Sequence, residues 1–169
     1  HAAASIRTRN VGPGYTNISI MGTYVTLVAA ELYGNESLRA YALERLKKNV
    51  EYNTTQGAFT EYNSPTYTVV AVEELARMRV HVRDAGARAQ VETLYRMAWE
   101  EVAGHFHAPT RQWAGPHSRC YRTLLGNATL AFINRALEGR LGIGDEDVPS
   151  LYEQRLPASC PSDLAPFFV

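Results

Sequence analysis

Two polar, aromatic-rich segments of the chain share one pattern, and both carry side chains suited to acid–base chemistry. They span residues 57–67 and 111–121. The corresponding residues are Phe59 and Trp113, Ser64 and Ser118, and Tyr67 and Tyr121. A repeat of this kind is typical of stacked helical hairpins whose connecting loops lie on one side. We therefore expect loops 56–65 and 108–118 to lie at the same end of the fold and to form the functional site.

The side chains in these two loops suit an anionic sugar. Asn63 or Arg119 could hold a carboxylate, and His117 or a tyrosine could transfer a proton. Aromatic rings could stack on a pyranose face, and a Glu beside them could be the acid of a glycosidase. The candidate catalytic residues are Asn63, Tyr67, His117, Arg119 and Tyr121, and the candidate substrate-binding residues are Glu61, Tyr62, Phe59 and Trp113.

Structural roles remain an alternative for each candidate. Asn63, Ser64 and Pro65 are residue types that helix starts prefer. The tyrosines could be core phenols with one hydrogen bond, and the aromatic pair at the start of each repeat could be packing wedges. His117 and Arg119 could fix the second loop, and the Glu could anchor the first.

A metal site is not predicted. Two imidazoles flank Phe106, and a mature amino-terminal His, as in His1, is a starting feature of copper-dependent polysaccharide monooxygenases. Those enzymes are β-sandwiches, whereas this chain has helical periodicity. The sequence contains no HExxH, CxxC pair, phosphate loop, dinucleotide fingerprint or GxSxG element. We expect neither a metal nor another cofactor.

Five stretches of apolar residues at helical spacing must position these loops. The predicted helix starts are Thr16 or Asn17, Asn35, Ser64 with Pro65, Asp84 and Cys120. Only a tight Gly-Asn turn separates the first two helices, so they must run antiparallel. Strand alternation is hard to find. We predict an all-α single domain over 1–169, with a flexible start at 1–14, antiparallel helical hairpins at 15–139 and an extended Pro-rich tail at 140–169.

Composition and charge limit the partners. The chain has 46% hydrophobic and 20% charged residues, as globular domains do. Its 17 basic and 17 acidic residues cancel without long runs, which argues against nucleic acid as a partner. No apolar stretch is long enough for a membrane helix. We expect a soluble protein that contacts neither nucleic acid nor membrane.

Sequons and cysteines favour a secretory route. Asn17, Asn35, Asn53 and Asn127 each begin an N-glycosylation sequon. The chain begins at His1 rather than Met, as a processed secreted protein or a trimmed piece would. In an oxidising compartment Cys120 and Cys160 would pair, closing a loop of roughly 40 residues and contributing about 3–4 kcal/mol. Two buried free thiols are the alternative. We predict an extracellular glycoprotein.

Three segments also carry a resemblance to a known group: GAFTEYNSPTYTVVAVEELARM, WAGPHSRCY and SCPSDLAPFF. The chain, over about 15–169, resembles secreted α/α-toroid proteins of the heparinase II/III and alginate-lyase-like group. The resemblance implies β-elimination of uronic-acid polymers. In that reading Asn63 and Arg119 neutralise the substrate carboxylate, and His117, Tyr67 or Tyr121 act as base and acid.

The resemblance covers only about half of such a toroid. The chain is therefore a fragment, or a second copy or a missing half-toroid partner supplies the other wall, or it is a shortened relative that kept only binding or packing roles. We predict a polysaccharide lyase-like protein that acts on, or binds, an acidic polysaccharide or oligosaccharide. The alternatives are a non-catalytic secreted glycoprotein subunit with a structural or self-assembly role, and a glycoside hydrolase or sugar-binding module.

Overall fold

The chain folds mainly into α-helices, which confirms the predicted all-α class. The structure is a computed structural model that describes residues 1–143 and 149–169. Its helices are α1 (Ala2–Arg9), α2 (Thr16–Tyr33), α3 (Glu36–Gln56), α4 (Pro65–His81), α5 (Ala85–His105), α6 (Asn127–Ala136) and α7 (Leu151–Arg155). A two-stranded hairpin, β1 (Phe106–His107) and β2 (Gln112–Trp113), follows α5, and short 3-10 turns lie at Ala108–Thr110 and Ala165–Phe168.

Three of the predicted helix starts are confirmed by their side-chain caps. The side-chain oxygen of Asn35 accepts a hydrogen bond from the backbone N–H of Leu38 at 2.9 Å. Ser64 caps α4 and Asp84 caps α5 in the same way. Gly34 ends α2 with a left-handed φ of 60°, which glycine adopts without steric cost. Local sequence therefore sets both helical hairpins, α2–α3 and α4–α5.

The two hairpins pack side by side, with α2 against α4 and α3 against α5. Glu31 on α2 fixes the turn between α4 and α5, because its carboxylate accepts hydrogen bonds from the backbone N–H groups of Arg83 and Asp84 at 2.9 and 3.0 Å. Trp99 lies at the centre of an aromatic cluster, with the rings of Phe132 and Phe168 both 6.3 Å away. No helix in the described residues is both long enough and apolar enough to cross a membrane.

The amino-terminal segment and the predicted fifth helix differ from expectation. Residues 2–9 form α1, which packs on α2, whereas a flexible start was predicted. The helix expected from Cys120 begins only at Asn127. Residues 120–126 form a loop because their polar groups bond elsewhere: the backbone N–H of Leu125 donates to the side chain of Gln112 at 2.9 Å. Apolar residues continue at helical spacing through this loop, which explains why the helix was predicted to start at Cys120.

The carboxy-terminal tail is partly helical rather than wholly extended. It contains α7 and the 3-10 turn at Ala165–Phe168. The Tyr95 hydroxyl holds the tail against α5, because it donates to the carbonyl of Ser159 at 2.8 Å and accepts from its N–H at 2.9 Å. Residues 144–148 of the predicted tail lie outside the described residues.

Candidate functional site

The two predicted loops do lie at the same end of the fold, and they contact each other directly. The backbone N–H of Ser118 donates to the carbonyl of Tyr62 at 3.1 Å. The β1–β2 hairpin carries the second loop back toward the first, and its register pairs Phe106 with Trp113. The expected meeting of loops 56–65 and 108–118 is therefore confirmed.

Asn63 joins the loops from a fully buried position. Its side-chain N–H groups donate to the carbonyls of Ala114 and Pro116, both at 2.8 Å, and its side-chain oxygen accepts from the indole N–H of Trp113. Its φ of 50° is in the left-handed region, which Asn tolerates better than most residues. The carboxamide already has a full set of partners, so Asn63 holds the loops rather than facing solvent.

A buried carboxylate on α5 supports this junction. Glu101 Oε1 accepts hydrogen bonds from the backbone N–H of Asn63 at 2.9 Å and from the hydroxyl of Thr68 at 2.8 Å. Burial raises the pKa of Glu101, while these hydrogen bonds oppose the rise. Sequence analysis missed Glu101 because it lies on a regular helix, and nothing in its neighbourhood along the chain indicates its distant partners.

Glu61 connects the first loop to the start of α2. Its Oε2 accepts the backbone N–H of Asn17 at 2.9 Å, and its own backbone N–H donates to the hydroxyl of Thr16 at 3.3 Å. A residue distant in sequence thus satisfies a free N–H at this helix start, where Thr16 or Asn17 was expected to cap. Glu61 Oε1 has no hydrogen bond and lies 3.9 Å from Arg119 Nε. Because its side chain is only 5% exposed, Glu61 is a buried partner of Arg119.

The predicted substrate-binding aromatics are mostly occupied by packing. Phe59 and Trp113 are 3% and 4% exposed, respectively, and belong to the core. Tyr62 is more exposed, but its hydroxyl lies 2.8 Å from His105 Nε2. His105 Nδ1 lies 2.7 Å from the Glu101 carbonyl, which can only accept, so Nδ1 carries the proton and Nε2 accepts from Tyr62.

A cleft of about 320 Å³ opens beside the junction, between the start of α4, the second loop and the start of α6. Among the predicted catalytic residues, His117, Arg119 and Tyr121 line it. Arg122 lines it as well and was missed by sequence analysis. The described lining residues include no Asp or Glu. The cleft therefore presents two guanidinium groups and an imidazole without an acidic side chain.

The hydrogen bond of His117 fixes its tautomer. Its Nδ1 lies 2.6 Å from the backbone carbonyl of Asn63, which can only accept a hydrogen bond. Nδ1 is therefore protonated, and in the neutral ring Nε2 carries a lone pair. Because His117 is half-buried and lines the cleft, this nitrogen is available as a base.

Arg119, Tyr67 and Tyr121 form a polar cluster at the rim. The two hydroxyls are 2.9 Å apart. Their hydrogen bond raises the pKa of Tyr67 and, with a further bond from Arg119, lowers the pKa of Tyr121. Either hydroxyl can be the donor while both are neutral, and Tyr67 must donate once Tyr121 is ionised. The Arg119 guanidinium also lies over the rings of Tyr15 and Tyr67, 5.6 and 5.7 Å from their centroids.

The predicted disulfide is not formed in the structure. Both cysteines are free thiols, Cys120 exposed and Cys160 half-buried. The Cys120 thiol donates to the carbonyl of Arg122 at 2.9 Å beside the cleft. Cys160 lines another pocket, as Tyr95 does, and its backbone N–H donates to the carbonyl of Ala136. Burial raises the pKa of the Cys160 thiol to about 12.

The four sequons divide by burial. Asn35 and Asn127 are exposed, whereas Asn17 is buried and Asn53 is fully buried. The Asn53 side-chain N–H, which a glycan would replace, donates to the carbonyl of Asn49 at 2.7 Å. Of the four candidate glycosylation sites, Asn17 and Asn53 therefore lie on inward helix faces, and Asn35 and Asn127 are accessible.

The comparisons with known proteins assign a family and no activity. Across the described part of the chain, no three His, Cys, Asp or Glu side chains lie close enough together to hold a metal ion. No curated protein and no solved structure matches the chain. Residues 3–156 match the family described as a domain of unknown function, DUF8769. Because that match covers most of its length, the chain belongs to the DUF8769 family.

Proposed function

We propose that the chain is a polysaccharide lyase-like protein that cleaves uronic-acid-containing glycans by β-elimination in the loop cleft. The observation that carries the proposal is the lining of this cleft, which includes Arg119, Arg122, His117 and Tyr121 and, among the described residues, no acidic side chain. Such a lining is complementary in charge to an acidic polymer. It also supplies a base and an acid close to the anion-binding groups.

Arg119 would bind the carboxylate of the sugar at the cleavage point. Its guanidinium is exposed at the rim and held by the faces of Tyr15 and Tyr67. A planar guanidinium can bind a carboxylate with two parallel hydrogen bonds. Neutralising that carboxylate makes the C5 proton of the uronate more acidic, so the same contact serves binding and reaction.

His117 and Tyr121 would move the protons. His117 Nε2 removes the C5 proton, the electrons of that bond form the C4–C5 double bond, and the C4–O4 bond breaks. Tyr121 then donates its hydroxyl proton to the departing oxygen. Hydrogen bonds with Tyr67 and Arg119 lower the pKa of Tyr121, which makes it a stronger acid.

The same proposal includes the arrangement of the helices as half of a toroid and the secretion of the protein. The side-by-side packing of α2–α3 and α4–α5 supports an α/α-toroid arrangement of which this chain is about half. A second copy, or another chain, would supply the facing wall and close the cleft around an acidic polysaccharide. Exposed sequons at Asn35 and Asn127 support secretion as a glycoprotein.

One observation favours a second function, a non-catalytic structural subunit. Asn63, Glu61 and Tyr62 bond to other parts of the protein rather than to open space. Interlocked loops of this kind stabilise a fold without any substrate. In that case Arg119, Tyr67 and Tyr121 only satisfy one another across the loops.

The test is elimination activity on uronate polymers. We expect the wild-type protein to release unsaturated products from at least one of alginate, pectate, glucuronan or heparin, detected by near-ultraviolet absorbance of the conjugated double bond. His117→Asn keeps a donor for the Asn63 carbonyl and removes the base, so turnover should fall about 10²–10⁴-fold. Tyr121→Phe should lower turnover more than binding, and Arg119→Met should weaken both.

Arg111→Met is the matched control, because Arg111 is an exposed arginine of the second loop that does not line the cleft. This variant should keep the wild-type rate. Circular dichroism checks that each variant is folded. If folded wild-type protein gives no such absorbance with any of the four polymers, the lyase proposal is wrong and the structural role is favoured.

A further inference from the structure

A second cavity lies between α1 and α2, outside the loop cleft. Its volume is about 360 Å³, within the range of roughly 300–1,000 Å³ typical of small-molecule sites. Its apolar lining consists of Ala2, Ile6, Val11, Ile18, Met21 and Val25. Arg9 and Arg45 also line it, and no acidic residue is among the described lining. We call this cavity the α1–α2 groove.

The groove is incompletely filled by the protein itself. None of the residues of α1 is buried, although this helix packs on α2. Ile18 and Met21, on the facing side of α2, remain 39% and 40% exposed. Apolar side chains on both walls are therefore left partly in contact with solvent, and an apolar ligand would cover them.

Arg45 gives the groove its chemical specificity. The side chain is only 6% exposed, and its guanidinium donates to neutral oxygens only, those of the Ser19 carbonyl, the Tyr41 hydroxyl and the Asn10 side chain. Its Nε has no hydrogen-bond partner, and no carboxylate of the described residues pairs with it. A buried cation without a counter-charge is costly, so the groove is suited to a ligand that brings an anion.

Gly22 allows this guanidinium to reach the groove wall. A Cβ atom at this position would lie 2.9 Å from Arg45 Nη2 and 3.1 Å from Ile6 Cγ2. Both neighbours line the groove, as does Gly22 itself. The missing side chain on α2 therefore lets the charged group and the apolar wall pack directly against the helix backbone.

We propose that the α1–α2 groove binds a free fatty acid, a monocarboxylate with an unbranched alkyl chain. The carboxylate pairs with Arg45, and the exposed Arg9 adds positive charge at the rim. The alkyl chain lies between α1 and α2 against Ile6, Ile18 and Met21. This site is separate from the loop cleft and does not depend on the function proposed there.

Calorimetry with three ligands of equal chain length tests the charge requirement on the unmodified protein. We expect decanoate to bind at least about tenfold more tightly than decanol, because only decanoate supplies an anion for Arg45. Decylammonium should bind most weakly. Equal affinity for the three ligands, or no binding of decanoate below its micelle concentration, would overturn the proposal.

Two variants test whether decanoate binds in the α1–α2 groove. Arg45→Met removes the buried charge at similar length and should reduce the affinity for decanoate to that for decanol. Arg88→Met, which removes an exposed arginine of α5 outside the groove, should leave it unchanged. If Arg45→Met does not fold, Gly22→Val replaces it, since a side chain there must displace Arg45 Nη2 and Ile6 Cγ2, which line the groove. Decanoate binding that is retained in the folded Arg45→Met or Gly22→Val variant would contradict the fatty-acid site. Failure of the unmodified protein to bind decanoate, together with self-association that Met21→Lys abolishes, would also contradict it.

Discussion

The indole N–H of Trp113 donates a hydrogen bond to the side-chain oxygen of Asn63, so a residue of the second loop is fixed by the first. Both residues are buried, and the Asn63 carboxamide also holds the carbonyls of Ala114 and Pro116. The two were expected to contact substrate separately. In the structure they contact each other, and the surface available for chemistry lies to one side of them.

Replacing Asn63 should destabilise the whole fold. Asn63→Ala removes three buried side-chain hydrogen bonds, each contributing about 1 kcal/mol, and leaves their partners unsatisfied. We expect the free energy of unfolding to fall by about 3–5 kcal/mol, measured by urea denaturation. Arg111→Ala is the control, because Arg111 also has a left-handed φ but is exposed. An equal loss in both variants would show that the buried bonds are not the cause.

Tyr67→Phe should shift the ionisation of Tyr121. The hydrogen bond from Tyr67 favours the Tyr121 phenolate and lowers the pKa of Tyr121, so removing the donor raises that pKa toward its ordinary value. If Tyr121 is the acid, activity is lost as pH rises through the pKa of Tyr121. In the variant, the fall of activity at alkaline pH should therefore occur at a higher pH. NMR titration of carbon-labelled tyrosine reads the pKa directly. An unchanged Tyr121 titration would show that Tyr67 does not stabilise the Tyr121 phenolate.

The two thiols should differ in reactivity. Cys120 is exposed, whereas burial raises the pKa of Cys160 to about 12, so Cys160 carries almost no thiolate near neutral pH. We expect maleimide to label one thiol in the native protein and two after denaturation, counted by mass spectrometry. Cys120→Ser should abolish the native labelling. A protein that takes up no label until it is reduced, and two labels afterwards, would contain the disulfide that the structure lacks.

Glycans, if the protein passes through a eukaryotic secretory route, should occupy Asn35 and Asn127 only. Both are exposed, and the Asn35 cap uses the side-chain oxygen, which glycosylation leaves in place. Enzymatic deglycosylation of secreted protein should then lower the mass by two glycans. The double variant Asn35→Gln and Asn127→Gln should show no mass change. A glycan at the buried Asn53 would contradict the fold in this region.

Local signals predicted the hairpins well. A capping side chain acts within one helical turn, so Asn35, Ser64 and Asp84 could be read directly from sequence. The meeting of the two loops was also predictable, because antiparallel hairpins return to the same end. In contrast, residues 120–126 have helical periodicity but form a loop, since the bond between Leu125 and Gln112 depends on tertiary structure.

The candidate site was predicted in part for the same reason. Residue types indicated that His117, Arg119 and Tyr121 could do chemistry, and these three line the cleft. Sequence could not show that Asn63 would be buried, since its partners come from another loop and from Glu101 on α5. Arg122 has no local signal, and it joins the cleft only because residues 120–126 are not helical.

The hydrogen bond from the backbone N–H of Asn63 to the carboxylate of Glu101 has a consequence for hydrogen exchange. Loop amides usually exchange quickly, because loops open locally with little free energy. Here the Asn63 amide proton is buried against a carboxylate of α5, and the Ser118 amide proton is bonded to the carbonyl of Tyr62. The Asn63 proton cannot exchange until the first loop separates from α5, whereas the Ser118 proton needs only the separation of the two loops. The Asn63 loop proton should therefore exchange as slowly as those of the central helices, in step with global unfolding, and more slowly than the proton of the exposed Ser118.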